Sequence, residues 1–250
     1  MKFYRSILGF TIALALFGAQ EQATQVFAKE KDAASKTVDS GSFGVFNGAH
    51  RVATETFSIK QDAQGSVVSS EFKSEQGEHK ADQSSQLELT PSVELRSYQW
   101  KELSPERIDA TVMPNNTFLI ERFSFGSDAK AHEQNFLLPP STSILDDYFF
   151  IQREVLAWKF LATACKQQKT GLGCTPNQKT QFGTLNPHSR SSMLVNIEFT
   201  GKDKVMIHGS EHELNRFMLR AESGDWAFWL DDKLNLVRLL GENGIEVVRD

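Results

Sequence analysis

Turn signals punctuate this chain at intervals that suit β-strands and leave little room for helices. Asn47-Gly48, Asp62 to Gly65, Glu75 to Glu78, Thr90-Pro91-Ser92, Ser104-Pro105-Glu106 and Pro114-Asn115-Asn116 follow one another with only short runs between them. Gly, Asn, Asp and Pro supply the positive or fixed φ that tight turns need, so each cluster closes one extended segment and opens the next. The runs between them, such as SVVSSEFKS, VELRSYQWKEL and TFLIERFSF, alternate apolar with polar residues and are rich in β-branched and aromatic side chains, the pattern of half-buried strands. In the run after Gly48, Ala53, Glu55, Phe57 and Ile59 fall on one face and Val52, Thr54, Thr56 and Ser58 on the other. Loops this short join antiparallel neighbours. The first half of the chain therefore predicts a meander, with ordered structure beginning near Phe43.

The rhythm breaks at Pro139-Pro140 and gives way to SILDDYFFIQREVLAWKFLATAC, Ser143 to Cys165. Ser141, Thr142 and Ser143 are candidate N-caps, and Asp146 completes a loose capping box with Ser143. The expected helix covers residues 143–168. A Gly-, Pro- and polar-rich stretch, TGLGCTPNQKTQFGTLNPHSRSS, reads as a long loop. Strands then resume with MLVNIEFT, KVMIHGS, LNRFMLRAE, DWAFWL, NLVRLL and IEVVR. The expected fold is mainly β: a large curved antiparallel sheet or incomplete β-barrel of about 10–13 strands, with one long helix in its concavity.

Residues 1–28 carry Lys2 and Arg5, an apolar run from Ile7 to Ala19, and Val26-Phe27-Ala28. This is the three-part pattern of a secretory signal, and the apolar run is shorter than the about 20 residues that span a bilayer. Cleavage after Ala28 is expected, followed by a charged, aperiodic linker over 29–42 and a single β-rich domain over 43–250. The mature chain would carry no transmembrane segment and would be periplasmic or secreted. The two cysteines, Cys165 and Cys174, are then expected to form a disulfide, worth about 3 kcal/mol by loop entropy. A formal charge of −5 with no Lys/Arg block offers no footprint for nucleic acid.

On a helical wheel Gln152, Lys159, Thr163 and Lys166 form a narrow polar stripe, and apolar residues cover most of the rest. A surface helix shows an apolar stripe of roughly 100°, so this helix is expected to be buried on more than one side. Either its aromatics plug the half-barrel as core, or sheet and helix leave room for a lipid-like or other apolar small molecule. Nineteen Phe against four Trp and three Tyr favour an apolar lining over polar recognition. Phe149, Arg153, Leu156, Trp158 and Phe160 are the candidate ligand-binding residues.

The stretches FGVFNGAHRVATETFSI and WLDDKLNLVRLLGENGIEVVR are similar to the opening and closing strands of periplasmic lipoprotein carriers of the LolA and LolB type, and of related incomplete-barrel envelope proteins. The resemblance covers Phe43 to Asp250 at the level of element order and implies binding of a hydrophobic ligand without catalysis. One helix stands where the carriers have several.

No stretch carries a catalytic or cofactor signature. His208 and His212 in HGSEHE lack the helix that would aim both rings at one metal, and no Gly-x-Ser-x-Gly elbow or phosphate loop occurs. Asp146 and Asp147 suit a first helical turn, and Asp231 and Asp232 suit a β-turn. Arg153 and Glu154 stand out as charges on the apolar arc, expected as a rim salt bridge, with Arg153 able to serve a polar headgroup. No catalytic residue, metal ligand or cofactor is assigned. The sequence points to an exported non-catalytic protein that binds a hydrophobic molecule between sheet and helix. The alternatives are an envelope scaffold with a packed core, partnered by an envelope protein, and an enzyme of unknown type.

Overall fold

A computed structural model describes residues 35–74, 80–126, 130–167 and 172–250. The expected export signal (1–28), the first residues of the expected linker and the turn at Glu75 to Glu78 lie outside the described residues.

The alternating runs of the first half form the predicted meander: β1 (Lys36–Asn47), β2 (His50–Asp62), β3 (Gly65–Ser74), β4 (Asp82–Leu89), β5 (Leu95–Ser104), β6 (Ile108–Asn115), β7 (Phe118–Phe125) and β8 (His132–Phe136). On β2 the face carrying Ala53, Glu55, Phe57 and Ile59 is buried. β1 starts seven residues ahead of Phe43, inside the segment expected to be a linker, because Lys36 to Ser42 pair with Gln61 to Thr56 of β2. The β1–β2 turn is centred on Gly48-Ala49, with Gly48 at φ 61°. A positive φ at the first central residue matches the twist of the flanking strands.

Across the connection lie β9 (Ser143–Ile144), α1 (Gln152–Ala164) and the two-residue strands β10 (Lys166–Gln167) and β11 (Leu172–Gly173). The second meander is β12 (Gln178–Asn186), β13 (Ser191–Ile207), β14 (Ser210–Ala221), β15 (Gly224–Leu230), β16 (Leu236–Gly241) and β17 (Ile245–Arg249). β17 pairs with β1 from Phe43↔Arg249 to Asn47↔Ile245. The order is therefore β8-β7-β6-β5-β4-β3-β2-β1-β17-β16-β15-β14-β13-β12-β9, one sheet of 15 strands. This exceeds the expected 10–13. One added strand is β12, in the stretch expected to be a long loop, whereas residues 193–210, expected as two strands, belong largely to the single strand β13, bulged at Gly201.

The sheet curls so that its two arms meet at one end without pairing. His188, in the β12–β13 turn, lies against Trp100 of β5 (4.7 Å between ring centroids) and against Tyr148 (4.8 Å). Arg190 lies over the ring of Phe123 at 3.9 Å, and the Leu95 N–H donates to Pro140 O at 3.3 Å. The helix lies in the hollow. Phe160 meets Phe217 of β14 edge-on at 5.9 Å, and Phe217 stacks on Phe228 of β15 at 5.1 Å. Each such side chain contributes roughly 1.5–3 kcal/mol on burial. A second, smaller cluster of Val205, Ile207, Leu214, Ala227 and Trp229 sits on the opposite face of β14 and β15, as period-two alternation requires.

The helix is shorter than the expected 143–168. Ser143 and Ile144 are held extended by parallel pairing with Thr184 and Leu185 of β12, and the Leu145 N–H donates to Leu185 O at 3.0 Å. Asp146 then turns the chain by accepting the Tyr148 N–H at 3.2 Å. The helix stops at Cys165, whose backbone is extended and whose disulfide to Cys174 closes the β10–β11 ladder.

Gly65 sets the β2–β3 hairpin, with φ 139° and a would-be Cβ only 1.9 Å from Leu89 O, whereas Gly48 faces open space. Gly65→Ala is expected to cost at least about 2 kcal/mol in urea unfolding, against about 1 kcal/mol for Gly48→Ala. Equal losses would contradict the close approach of β3 to the β4 end.

Candidate functional site

The five candidate residues divide sharply. Phe149, Leu156 and Phe160 are fully buried in the main core, and the cavity beside Leu156 measures only about 10 Å³, room for one water molecule at most. Trp158 is half-buried and donates its indole N–H to Leu234 O at 3.0 Å. These four side chains hold the helix in place. Only Arg153 lines an open space.

That space is a cleft of about 580 Å³ between the start of the helix and the end of the second meander, a size that accepts a small ligand. Its apolar wall comes from Leu145, Phe150, Met193, Leu219, Trp226 and Ile245, and its polar groups from Arg153, Asn186, Asp147, Asp225 and Glu242. The turns after β14 and β16 form one side, so residues far apart in sequence meet there through strand pairing alone.

Arg153 is only 6% exposed. Its Nη1 donates to Asp146 O at 2.8 Å and Phe149 O at 3.1 Å, and its guanidinium lies over the rings of Phe150 (5.2 Å) and Trp226 (5.6 Å). It does not form the expected rim salt bridge with Glu154: among the described residues no carboxylate lies within ion-pair distance of it, and burial pulls its pKa down. Glu154 is fully buried and turns the other way, accepting the Leu236 N–H at 2.5 Å beside Arg249 at 3.7 Å.

The first helical turn is anchored by a residue absent from the candidate set. No side chain of the helix's own segment caps it. Instead Glu55, from the buried face of β2, accepts the N–H groups of Phe150 (2.8 Å) and Ile151 (3.3 Å) and the Ser70 hydroxyl (2.6 Å). An acidic group at a helix start satisfies free N–H donors and complements the helix dipole. The expected caps at Ser141 to Ser143 lie too far upstream. Gln152, expected on the solvated stripe, is buried and accepts the Asp146 N–H at 2.6 Å. Tyr98 donates to the Asp146 carboxylate at 2.9 Å. One sign of Glu55 was present in the sequence, a carboxylate in register with Ala53, Phe57 and Ile59.

His208 and Gly209 are the central pair of the β13–β14 hairpin, with φ 48° and 80°, and His208 Nε2 lies 2.8 Å from Arg249 O. His212 lies on β14, exposed.

No family model matches this chain, and no curated protein matches it in sequence. Among solved structures it is similar to the β-barrel-like protein of the domain of unknown function DUF1849 from Brucella abortus. The identity is 10%, the TM-score 0.54, and the likeness covers 86% of this chain and 94% of that one. It is also similar to a DUF1089 family protein from Pseudomonas aeruginosa, at 9% identity and a TM-score of 0.44 over 76% of this chain and 89% of that one. The first likeness supports a β-barrel-like fold.

The buried acids make stability depend on pH. Burial pushes the Glu55 carboxyl up to about 7 and the Glu154 carboxyl up to about 9, the latter helped by the neighbouring Asp39 charge. A carboxyl raised on folding keeps a proton that the unfolded chain releases, so stability falls as pH climbs from the unfolded value to the folded one. The loss runs from about pH 4.5 to 7 for Glu55 and on to about 9 for Glu154. The unfolding free energy, read by urea titration, is expected to drop between pH 7 and 9 by on the order of 2 kcal/mol. Glu154→Gln, a neutral isostere, is expected to flatten that part of the profile. Glu55→Gln is expected to lower stability by about 1–3 kcal/mol at pH 8, where the carboxylate is ionised, because an amide cannot accept both helix N–H groups.

Proposed function

We propose that this is an exported, non-catalytic binding protein that takes a lipid-like molecule into the cleft between the helix start and the second meander. The observation that carries this reading is the 580 Å³ cleft walled by Phe150, Leu219 and Trp226, with the buried Arg153 over two of those rings and, among the described residues, no carboxylate within ion-pair distance of it. Apolar walls hold the hydrocarbon, and the guanidinium fixes a polar end. The likeness of the opening and closing strands to carriers of the LolA and LolB type is consistent with a hydrophobic ligand, placed here at one end of the helix rather than along it. Among the described residues no helix is long and apolar enough to cross a membrane.

A second reading, an envelope scaffold that binds a protein partner, draws on the filled space beside Leu156. The stretch expected as a long loop adds no loop surface for such a partner over residues 178–186, which are strand β12. Native mass spectrometry of gently extracted protein separates the two. The binding reading expects a lipid-sized adduct and saturable uptake of a fluorescent single-chain lipid by stripped protein. Protein that emerges bare and takes up no probe would leave the scaffold.

A further inference from the structure

The charges around the cleft narrow the class of ligand, on the premise that the cleft binds an amphiphile at all. Arg153 is more than nine-tenths buried, and the hydrogen bonds it makes use Nη1 alone. A guanidinium has five N–H donors in a fixed fork that suits carboxylate and phosphate. Asp147 foremost, with Glu55 and Asp146, acts on this guanidinium from beyond ion-pair distance, and a charge buried this deeply is costly without a directly bonded counter-charge, so the Arg153 end of the cleft suits an anion.

The outer end has the opposite sign. Asp147 and Glu242 are exposed at the edge, and Asp225 beside them is already matched by Arg220 at 2.7 Å. Glu242 accepts the Asp225 N–H at 3.2 Å through one oxygen and keeps the rest of its acceptor capacity. Two rim carboxylates would repel a ligand whose headgroup is purely anionic. A neutral ligand would leave Arg153 without a directly bonded counter-charge. We infer that the cleft selects a zwitterionic amphiphile, its phosphate or carboxylate on Arg153 and its ammonium between Asp147 and Glu242. The ammonium is a primary amine rather than a quaternary one. A primary ammonium donates charge-assisted hydrogen bonds to carboxylates and a quaternary one has no N–H to donate, and the aromatic faces that would attract a quaternary cation, Phe150 and Trp226, already carry the Arg153 guanidinium.

The test uses stripped full-length protein and four single-chain probes of equal acyl length below their micellar concentrations, read by native mass spectrometry and by the fluorescence of Trp226, which lines the cleft. The probes are lysophosphatidylethanolamine, lysophosphatidylcholine, lysophosphatidylglycerol and monoacylglycerol. The ethanolamine probe is expected to bind about tenfold more tightly than the other two phosphate probes and more tightly still than the monoacylglycerol, the scale of one charge-assisted hydrogen bond. The surface double variant Asp147→Asn/Glu242→Gln is expected to erase the preference over lysophosphatidylglycerol while leaving the protein folded. Arg153→Gln is expected to erase the preference for phosphate probes over monoacylglycerol. Replacing the ethanolamine headgroup by an amino-acid headgroup on the same chain distinguishes phosphate from carboxylate as the anion. Equal binding of all four probes, or tightest binding of lysophosphatidylglycerol, overturns this inference and leaves the amphiphile reading standing. Absence of binding by every probe, monoacylglycerol included, overturns both.

Discussion

The molecule depends on the seam where its first and last strands meet. Each meander could form by local hairpins, but only the pairing of β1 with β17 makes them one sheet. The seam is fastened on both faces. Inside, Arg249 donates to both oxygens of Asp39 (3.0 and 2.5 Å) and to Leu236 O (2.7 Å), with its guanidinium over the rings of Phe43 and Phe57. Outside, Arg51 and Ser42 both donate to the Asp250 carboxylate. Asp39 is 7% exposed, so its pairing with Arg249 is the term that makes its burial tolerable. The seam and the strand beside it also position the helix: Arg249 of β17 sits beside Glu154, and Glu55 is on β2, next to β1.

From that seam follows the asymmetry of the helix. Its first half is buried all round, and it is there that the fold places its buried polar groups: Glu55 on the helix N–H groups, Asp146 and Gln152 on the preceding turn, Glu154 on β16, Arg153 on two carbonyls. The middle of the helix is locked by Phe160 on Phe217 and by Trp158 on Leu234. A rigid plug that fills the hollow along its length leaves space past its N-terminal end. That is where the cleft opens, and where an arginine held by carbonyls presents its remaining donors.

How much of this could be read from the residues depends on whether a signal was local. The hairpins were legible because Gly48 and Gly65 mark turns that their own φ requires, and the paired cysteines because only two were present. β12 was missed because Gln178, Lys179, Thr180 and Gln181 are polar on both faces. Its far side is covered only by the two residues of β9, so it needs little apolar surface there. The helix was drawn too long because nothing local shows that Ser143 and Ile144 would be claimed by a strand forty residues on. Arg153 was legible as a charge out of place on an apolar arc, whereas Leu219, Trp226 and Glu242 were not, since they come to the cleft through sheet register.

By itself, then, the amino-acid order determined the class of structure: alternation and turn residues act between near neighbours, and a chain so patterned makes antiparallel strands around one apolar helix whatever its partners. Tertiary structure alone decided which strand became the neighbour of which across the seam, which buried acid capped the helix, and which aromatics became core rather than cleft wall. Those outcomes rest on contacts between residues such as Glu55 and Phe150, or Asp39 and Arg249, separated by 95 and 210 positions. Their free energy arises only once the whole sheet has closed around the helix and removed the charges from water.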